Sequence, residues 1–245
     1  MSKFGSSQSV RRLEDARFVT GHGRYIDDTA PEGALRAYLL RSPMAHGRIT
    51  TLDVTGAREA PGVELVLTGT DIVAHGLKNA MKGSTVDNRD GSKGAAPVRP
   101  ILADTHVRHV GEPVAFIVAG TLAQARDAAE LIEFDVDDMP VKLDIAPGGQ
   151  ALHDAAPDNV AYDWALGDEA ATEAALAGAA RVVTLTTHDN RVIVNSLEPR
   201  GCSAEIEDGR LHVAINGQGV WGHKTDLANW FGVEEAEVRV TNPDV

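Results

Sequence analysis

The chain has 245 residues, of which 43% are hydrophobic and 24% charged, which is enough apolar material for one large or two ordinary globular cores. Its formal net charge of −13 argues against a general nucleic-acid binder, because neutralising phosphates requires clustered Lys and Arg. No run approaches the roughly 20 apolar residues that span a bilayer, and the first residues lack a hydrophobic signal segment, so we expect a cytoplasmic protein.

The first half of the chain predicts a series of short strands and turns. In chain order, the predicted elements are strands at residues 35–41 and 49–54, a helical turn at 55–60 and a strand at 63–68. Ser42-Pro43 and Pro61-Gly62 are turn signals that follow the first strand and the helical turn. Residues 76–98 are rich in Gly, Lys, Ser, Asn and Asp and show no periodicity, which predicts a long surface loop.

Residues 112–137 predict a strand, a helix and a second strand. Pro113–Ala119 is a continuous apolar run, which is typical of a strand covered on both faces. Thr121 and Gln124 form a capping-box pattern, in which side chains satisfy the free amides of a helix start. The side chains that recur at helical spacing, and are predicted to face the sheet, are Leu122, Ala125, Ala129 and Ile132. A strand resumes at residues 133–136.

The second half begins after a boundary that we place within residues 139–160, where Pro and Gly are frequent. Its predicted elements are a helix at 168–176, a strand at 182–187, a hairpin around Asp208-Gly209, a helix at 224–231 and a strand at 237–240. The hairpin has the strongest signal, because Asp-Gly between two alternating strands favours a two-residue turn.

A G-x-G-x-x-G pattern at residues 217–222 lies between a strand and a helix, as in a dinucleotide-binding turn. The preceding strand alternates as the return arm of a hairpin, whereas the first Rossmann strand is buried and parallel. Trp221 also places a bulky side chain where the helix opens. We therefore disfavour a nicotinamide or flavin site and retain a glycine turn that contacts the polar groups of some ligand.

Cys202 is the single cysteine, which excludes an intrachain disulfide and a thiolate metal cluster. It could be a nucleophile with His188, His212 or His223 as its base, but a lone cysteine in a strand is more often structural, and we predict that role. The nine histidines lack metal-ligand spacing, so no metal ligand and no catalytic residue is predicted in this chain. Glu112 is predicted to be a strand-end charge paired with a nearby Arg.

Several stretches spread over the chain carry a family resemblance. They are the residues at 12–15, 20–28, 41–49, 60–63, 107–115, 190–191, 197–200 and 217–219. In this order and spacing they resemble the large, molybdenum-cofactor-carrying subunit of the molybdenum hydroxylases. That family includes xanthine dehydrogenase, aldehyde oxidoreductases and aerobic carbon monoxide dehydrogenase.

The resemblance implies an α+β fold and a molybdenum–molybdopterin cofactor, in its cytosine dinucleotide form. The implied domains are an N-terminal segment at 1–18, a hammerhead-like α/β domain at 19–138 and the beginning of a molybdopterin-binding α+β domain at 150–245. Gln218 and Gly219 belong to a turn that lies close to the pterin in the resembling proteins, and Gln218 can supply amide hydrogen bonds. Asn190 lies near where the family often places a longer Gln beside the metal. These three are the implied cofactor-binding residues.

The resemblance also implies an oxidoreductase that oxidises or hydroxylates a small carbonyl, heteroaromatic or CO-like substrate with water. Electrons would leave through an iron–sulfur subunit and an FAD subunit. In the family, a stretch like residues 243–245 runs into a Gly-Gly-Gly-Phe-Gly loop and, later, the catalytic Glu. We therefore expect another chain to supply the rest of the molybdenum subunit, and this chain to be inactive alone. The alternative is a non-catalytic protein-interaction module; a neighbouring reading frame that begins with that loop would favour the enzyme.

Overall fold

The computed structural model describes residues 12–81, 83–190 and 192–244. These residues form two compact units. The larger unit is Leu35–Val192, and the smaller unit joins residues 12–34 to residues 193–244. The N-terminal stretch therefore belongs to the same compact unit as the end of the chain. The domain boundaries at 1–18, 19–138 and 150–245 stay a prediction, because contact units need not coincide with family domains.

Short helices and strands follow one another along the described residues. In chain order they are α1 (Asp15–Val19), α2 (Ile26–Thr29), β1 (Arg36–Arg41), β2 (Gly47–Asp53), α3 (Thr55–Arg58), β3 (Val63–Thr68), α4 (Gly69–Ala74), β4 (His106–Val107), β5 (Pro113–Ala119), α5 (Leu122–Ala129), β6 (Glu133–Asp138), α6 (Glu169–Ala177), β7 (Cys202–Glu207), β8 (Arg210–Ile215), α7 (Trp221–Phe231), a 3-10 helix (Glu235–Glu237) and β9 (Val238–Thr241). None of the described helices is long and apolar enough to cross a membrane.

The larger unit contains two three-stranded antiparallel sheets within its described residues, ordered β1-β5-β3 and β4-β2-β6. β5 is buried on both faces, as its continuous apolar run predicts. Ile117 packs in the core under α5, whereas Val114 packs in a second cluster with Ala103 and Val107. The predicted strand–helix–strand unit is confirmed as β5, α5 and β6, although β6 pairs with β2 in the other sheet.

Helix α5 begins as predicted, since the Gln124 backbone N–H donates to Thr121 Oγ1 at 3.2 Å. Ala125, Ala129 and Ile132 are buried, together with Ala128. The prediction for Leu122 is wrong, because that side chain is 39% exposed. Side chains of a helix lean towards its N-terminus, so the side chain of the first residue points past the end of the helix.

The smaller unit contains the sheet β7-β8-β9 among its described residues. The β7–β8 hairpin is confirmed at Asp208-Gly209, whose φ values of 50° and 76° are those of a tight turn with both central residues left-handed. β9 runs parallel to β8, and α7 packs on this sheet through Ala228, with Val238 and Val240 beneath it.

The predicted strand at residues 182–187 is wrong. These residues form no strand, and the side chains of Val183 and Leu185 are 83% and 82% exposed. Their β-branched, apolar composition favours an extended backbone, but a strand also needs a neighbouring backbone to pair with. The helix before them is confirmed: α6 begins after Asp168, whose Oδ1 accepts from the Ala171 backbone N–H at 2.9 Å.

Candidate functional site

The candidate site is built around the glycine turn, residues 217–219, which joins β8 to α7. Gln218 and Gly219 are both exposed. Gly219 has a φ of 123°, a conformation that L side chains rarely adopt, and a Cβ built on it would meet nothing within 4 Å. A ligand can therefore approach the backbone of this turn closely while Gln218 offers both an amide donor and an amide acceptor.

Two asparagines hold the glycine turn in place. Asn242, directly after β9, donates from Nδ2 to the Gly217 carbonyl oxygen. Asn216, directly before the turn, accepts from the Gly201 backbone N–H at 2.9 Å and donates to the Pro199 carbonyl oxygen at 2.7 Å. The turn is thus fixed at its entry through residues 199–201 and at Gly217 through the end of β9.

Asn242 carries a buried acceptor without a donor. Its Oδ1 has no hydrogen-bond partner among the residues that the structure describes. Buried polar atoms are nearly always paired, and leaving one unpaired costs about 1–3 kcal/mol. A pterin is a flat, polar ring system with N–H donors, so a buried acceptor beside an open glycine turn fits such a group.

The N-terminal segment of the smaller unit holds the residues that follow Asn242. Asp244 Oδ2 accepts from the Arg24 backbone N–H at 2.8 Å, and the Asp244 backbone N–H donates to the Arg24 carbonyl oxygen at 2.9 Å. The Arg17 guanidinium forms an ion pair with the same carboxylate, whose side chain is only 13% exposed. A charged hydrogen bond in such a partly buried position is stronger than one on an open surface.

A second contact joins the N-terminal segment to the stretch before β7. The Ile26 backbone N–H donates to Glu198 Oε1 at 3.2 Å. Gly201 lies so close to Ile26 that an added Cβ would stand 2.8 Å from its Cγ2 atom. The stretches at 20–28, 197–200 and 217–219, which carry the family resemblance, therefore belong to one compact unit. Sequence reasoning alone did not bring them together.

The structure places Gln218 and Gly219 in the glycine turn, and Asn190 in an exposed, irregular segment of the larger unit. Cys202 is also exposed, at the first residue of the edge strand β7 and opposite Ile215. No group of three or more His, Cys, Asp or Glu side chains placed to hold a metal ion occurs within 12–81, 83–190 and 192–244.

The larger unit contains a group of ionisable side chains that the sequence did not predict. Glu112 is buried and its Oε2 accepts from the Arg108 backbone N–H at 2.5 Å, so its partner is the backbone of an Arg rather than a guanidinium. The Arg108 Nε–H donates instead to the Leu152 carbonyl oxygen at 2.9 Å. His46 is buried, with Nδ1 2.7 Å from the Pro140 carbonyl oxygen.

Two further histidines of this group have altered acid–base behaviour. Burial, and then the positive charge of Arg108, hold the pKa of His106 and of His153 below the ordinary value of 6.5. For His153, the carboxylates of Glu112 and Asp154 oppose that shift. Both imidazoles are therefore favoured in the neutral form. The hydrogen bonds of His46 with Pro140 and of Arg108 with Leu152 attach the segment at 140–152 to the rest of the larger unit.

Comparisons with known proteins match both halves of the chain. The model of the aldehyde oxidase and xanthine dehydrogenase a/b hammerhead domain matches residues 20–140. The model of the molybdopterin cofactor-binding domain matches residues 152–245.

Among curated relatives, the nicotine 6-hydroxylase large subunit of Paenarthrobacter nicotinovorans is 35% identical over 244 residues, which is 96% of this chain and 29% of that protein. The carbon monoxide dehydrogenase large chain of Hydrogenophaga pseudoflava is 31% identical, over 95% of this chain and 30% of that protein. The chain thus spans about three tenths of the length of these relatives.

The fold of this chain is also similar to solved structures. Quinoline 2-oxidoreductase from Pseudomonas putida 86 superimposes with a TM-score of 0.77 at 34% identity, covering 97% of this chain and 30% of that one. Reconstituted CO dehydrogenase from Oligotropha carboxidovorans gives 0.80 at 30% identity, covering 98% and 31%.

Proposed function

This chain belongs to the molybdenum hydroxylase family, as the N-terminal part of its large, cofactor-binding subunit, and we propose that the glycine turn forms one wall of the molybdenum-cofactor site. The observation that carries the proposal is the buried, unpaired Asn242 Oδ1 beside an open turn. An acceptor held in this way needs an N–H donor, and the cofactor of this family has several.

We propose that three residues bind the cofactor, two in the glycine turn and one, Asn190, in the larger unit. The Gln218 amide would donate to, and accept from, polar atoms of the pterin, and the Gly219 backbone would let the ring approach closely. Asn190 would add a second amide. When bound, the cofactor supplies a molybdenum centre that transfers oxygen derived from water to the substrate and accepts two electrons. The protein's part is to fix the orientation of that group. We propose the cytosine dinucleotide form.

The partners that we propose are the remainder of the large subunit, an iron–sulfur subunit and an FAD subunit. Relatives named "large chain" and "complex subunit gamma" are parts of multi-subunit enzymes, which supports partner subunits in general. For the substrate, we propose a small carbonyl, heteroaromatic or CO-like molecule, since the relatives include enzymes named for nicotine, quinoline and carbon monoxide. The cytoplasm stays the predicted location.

The proposal is tested by purifying the complex through an affinity tag on this chain, from its native host, and measuring molybdenum and pterin per chain. We expect both in the complex and neither in the chain expressed alone, which should also lack dye-linked oxidation of aldehydes, purines, heteroaromatics and carbon monoxide. A complex free of molybdenum would contradict the proposal and favour a protein-interaction module. Stoichiometric molybdenum with turnover in the isolated chain would contradict the need for a partner.

A pair of variants tests whether the glycine turn contacts the cofactor. Gln218→Ala should lower the cofactor content of the purified complex about tenfold, the equivalent of one or two lost hydrogen bonds. Gln150→Ala, which changes an exposed glutamine of the larger unit, is the matched control and should retain the cofactor. Equal cofactor contents in the two variants would remove Gln218 from the site.

A further inference from the structure

Asn242 is more than a support for the glycine turn. We infer that its Oδ1 accepts a hydrogen bond from an N–H group of the pterin, while its Nδ2 holds the Gly217 carbonyl oxygen. This inference rests on the proposed function, because it requires that the glycine turn face the cofactor. It assigns to one carboxamide both the shape of the turn and a direct contact with the ligand.

The orientation of the Asn242 side chain follows from what it contacts. The Gly217 carbonyl oxygen can only accept, so the amide nitrogen of Asn242 must face it. Turning the amide around would oppose two oxygens and leave the nitrogen buried. The unpaired atom is therefore the oxygen, and the missing partner is a donor.

Asn216 shows what a purely structural asparagine does at this turn. Both of its amide atoms are paired within the protein, with the Gly201 backbone N–H and the Pro199 carbonyl oxygen. Asn242 has the same chemistry at the other side of the turn, yet only its nitrogen is paired among the described residues. The difference between the two asparagines points to a ligand on the Asn242 side.

The backbone that follows Asn242 is also held in place. Two residues later, Asp244 is fixed by the Arg24 backbone and by the Arg17 guanidinium. With its nitrogen bound to Gly217 and its backbone anchored, Asn242 cannot turn Oδ1 towards solvent without breaking contacts. An acceptor that is fixed before the ligand arrives loses little conformational freedom on binding.

The acceptor's chemistry fits a neutral, planar donor. A carboxamide oxygen is uncharged, so it suits the ring N–H or amino group of a pterin, whereas a cation would be better served by a carboxylate. The competing donor is a backbone N–H of the polypeptide that completes the subunit. That alternative makes Asn242 a folding residue and predicts a different outcome when Asn242 is substituted.

The experiment compares Asn242→Ala, Asn242→Gln and Asn216→Ala in the complex purified through a tag on this chain. Pterin and molybdenum per folded chain are measured, together with the thermal midpoint of the cofactor-free protein. Asn242→Ala should lower cofactor content about tenfold. Its midpoint should fall less than that of Asn216→Ala, because the lost hydrogen bond to Gly217 is partly offset by removal of the unpaired buried acceptor. Asn216→Ala should lower the midpoint while each folded chain retains its cofactor. Asn242→Gln keeps both the amide donor and an acceptor oxygen, and should retain at least about threefold more cofactor than Asn242→Ala.

Two results would overturn the inference while the proposed function stands. One is a wild-type complex with full cofactor and an Asn242→Ala complex with the same content per folded chain. The other is an Asn242→Gln variant that loses as much cofactor as Asn242→Ala. If Asn242→Ala does not fold, the glutamine variant alone decides, since cofactor content at or below one tenth of wild type would overturn the role of the acceptor. A wild-type complex without pterin would overturn both proposals.

Discussion

The two compact units differ in how they are held together. In the larger unit, the central strand β5 buries four apolar residues at 0% exposure, which are Val114, Ala115, Ile117 and Ala119. In the smaller unit, the sheet buries Val238 and Val240 under α7, but Ile206 is 71% exposed and Trp221 is 75% exposed. The smaller unit relies instead on directional contacts made by asparagine, aspartate and arginine side chains.

This difference between the units indicates that apolar packing stabilises the larger unit, whereas the candidate cofactor residues lie in the unit held by hydrogen bonds. A close-packed apolar core determines one arrangement by itself, because each side chain touches many others. A unit held by hydrogen bonds between distant segments gains further stability when a ligand binds only its folded form. The candidate cofactor residues Gln218 and Asn242 lie in the second kind of unit. We therefore expect the larger unit to lose most stability when a buried apolar side chain is truncated, and the smaller unit when a hydrogen bond or ion pair is removed.

The largest effect is expected for Ile117→Ala in the core of the larger unit. Removing a fully buried isoleucine should lower the free energy of unfolding by about 3 kcal/mol, through lost burial and the cavity left behind. Ile206→Ala is the matched control on exposed β7, with an expected change within about 0.5 kcal/mol. Chemical denaturation of both variants measures the difference. Similar losses would show that the smaller unit depends on apolar packing as much as the larger one does.

The same contrast explains what could be predicted from sequence. Residues 112–137 were predictable because an apolar strand and a capped, periodic helix are local patterns, and the turn at Asp208-Gly209 requires only two residues. Residues 182–187 have a strand's composition, but among the residues that the structure describes they pair with no neighbouring strand. The contact between Arg24 and Asp244 joins residues 220 apart in sequence, and no local pattern indicates it. The role proposed for Asn242 rests on its contact with Gly217, 25 residues away in sequence, which no local pattern indicates.

The next largest effect is expected for Asp244→Ala in the smaller unit. This change removes the ion pair with Arg17 and the hydrogen bond from the Arg24 backbone, and should cost about 2 kcal/mol because the carboxylate is mostly buried. Asp137→Ala is the control, since its ion pair with Arg48 is exposed and worth about 0–1 kcal/mol. Hydrogen–deuterium exchange should report faster exchange near residues 24–28 in Asp244→Ala alone. Unchanged exchange there would show that the N-terminal segment is held by other contacts.

A smaller effect is expected from acid on the larger unit. The pKa of His106 and of His153 is held below the ordinary value of 6.5 in the folded protein, mainly by burial. Between the lowered pKa of the folded protein and the ordinary pKa of the unfolded chain, the unfolded chain binds more protons. The stabilisation is therefore complete above about pH 6.5, and the free energy of unfolding should fall as the pH drops below that value. His153→Gln should weaken this dependence. Denaturation at pH 8 and pH 5.5 tests it, and an equal loss on acidification in wild type and variant would contradict the assignment.

The smallest effect is expected for Cys202→Ser. Cys202 is exposed at the start of β7, so the substitution buries no new polar atom and opens no cavity. Catalysis by this thiol would need a base within hydrogen-bond reach. His212 lies opposite Glu205, three residues along the strand and so about 10 Å away at about 3.3 Å per residue. The His212 Nε2 atom also forms a hydrogen bond with Thr241 Oγ1 at 3.0 Å.

The assembled Cys202→Ser complex should therefore keep its molybdenum content and stay within a few-fold of wild-type turnover, measured by the dye-linked assay. A complete loss of turnover in a variant with the wild-type fold and cofactor content would make Cys202 part of the reaction. The smaller unit would then contribute a catalytic residue as well as the proposed cofactor-binding residues.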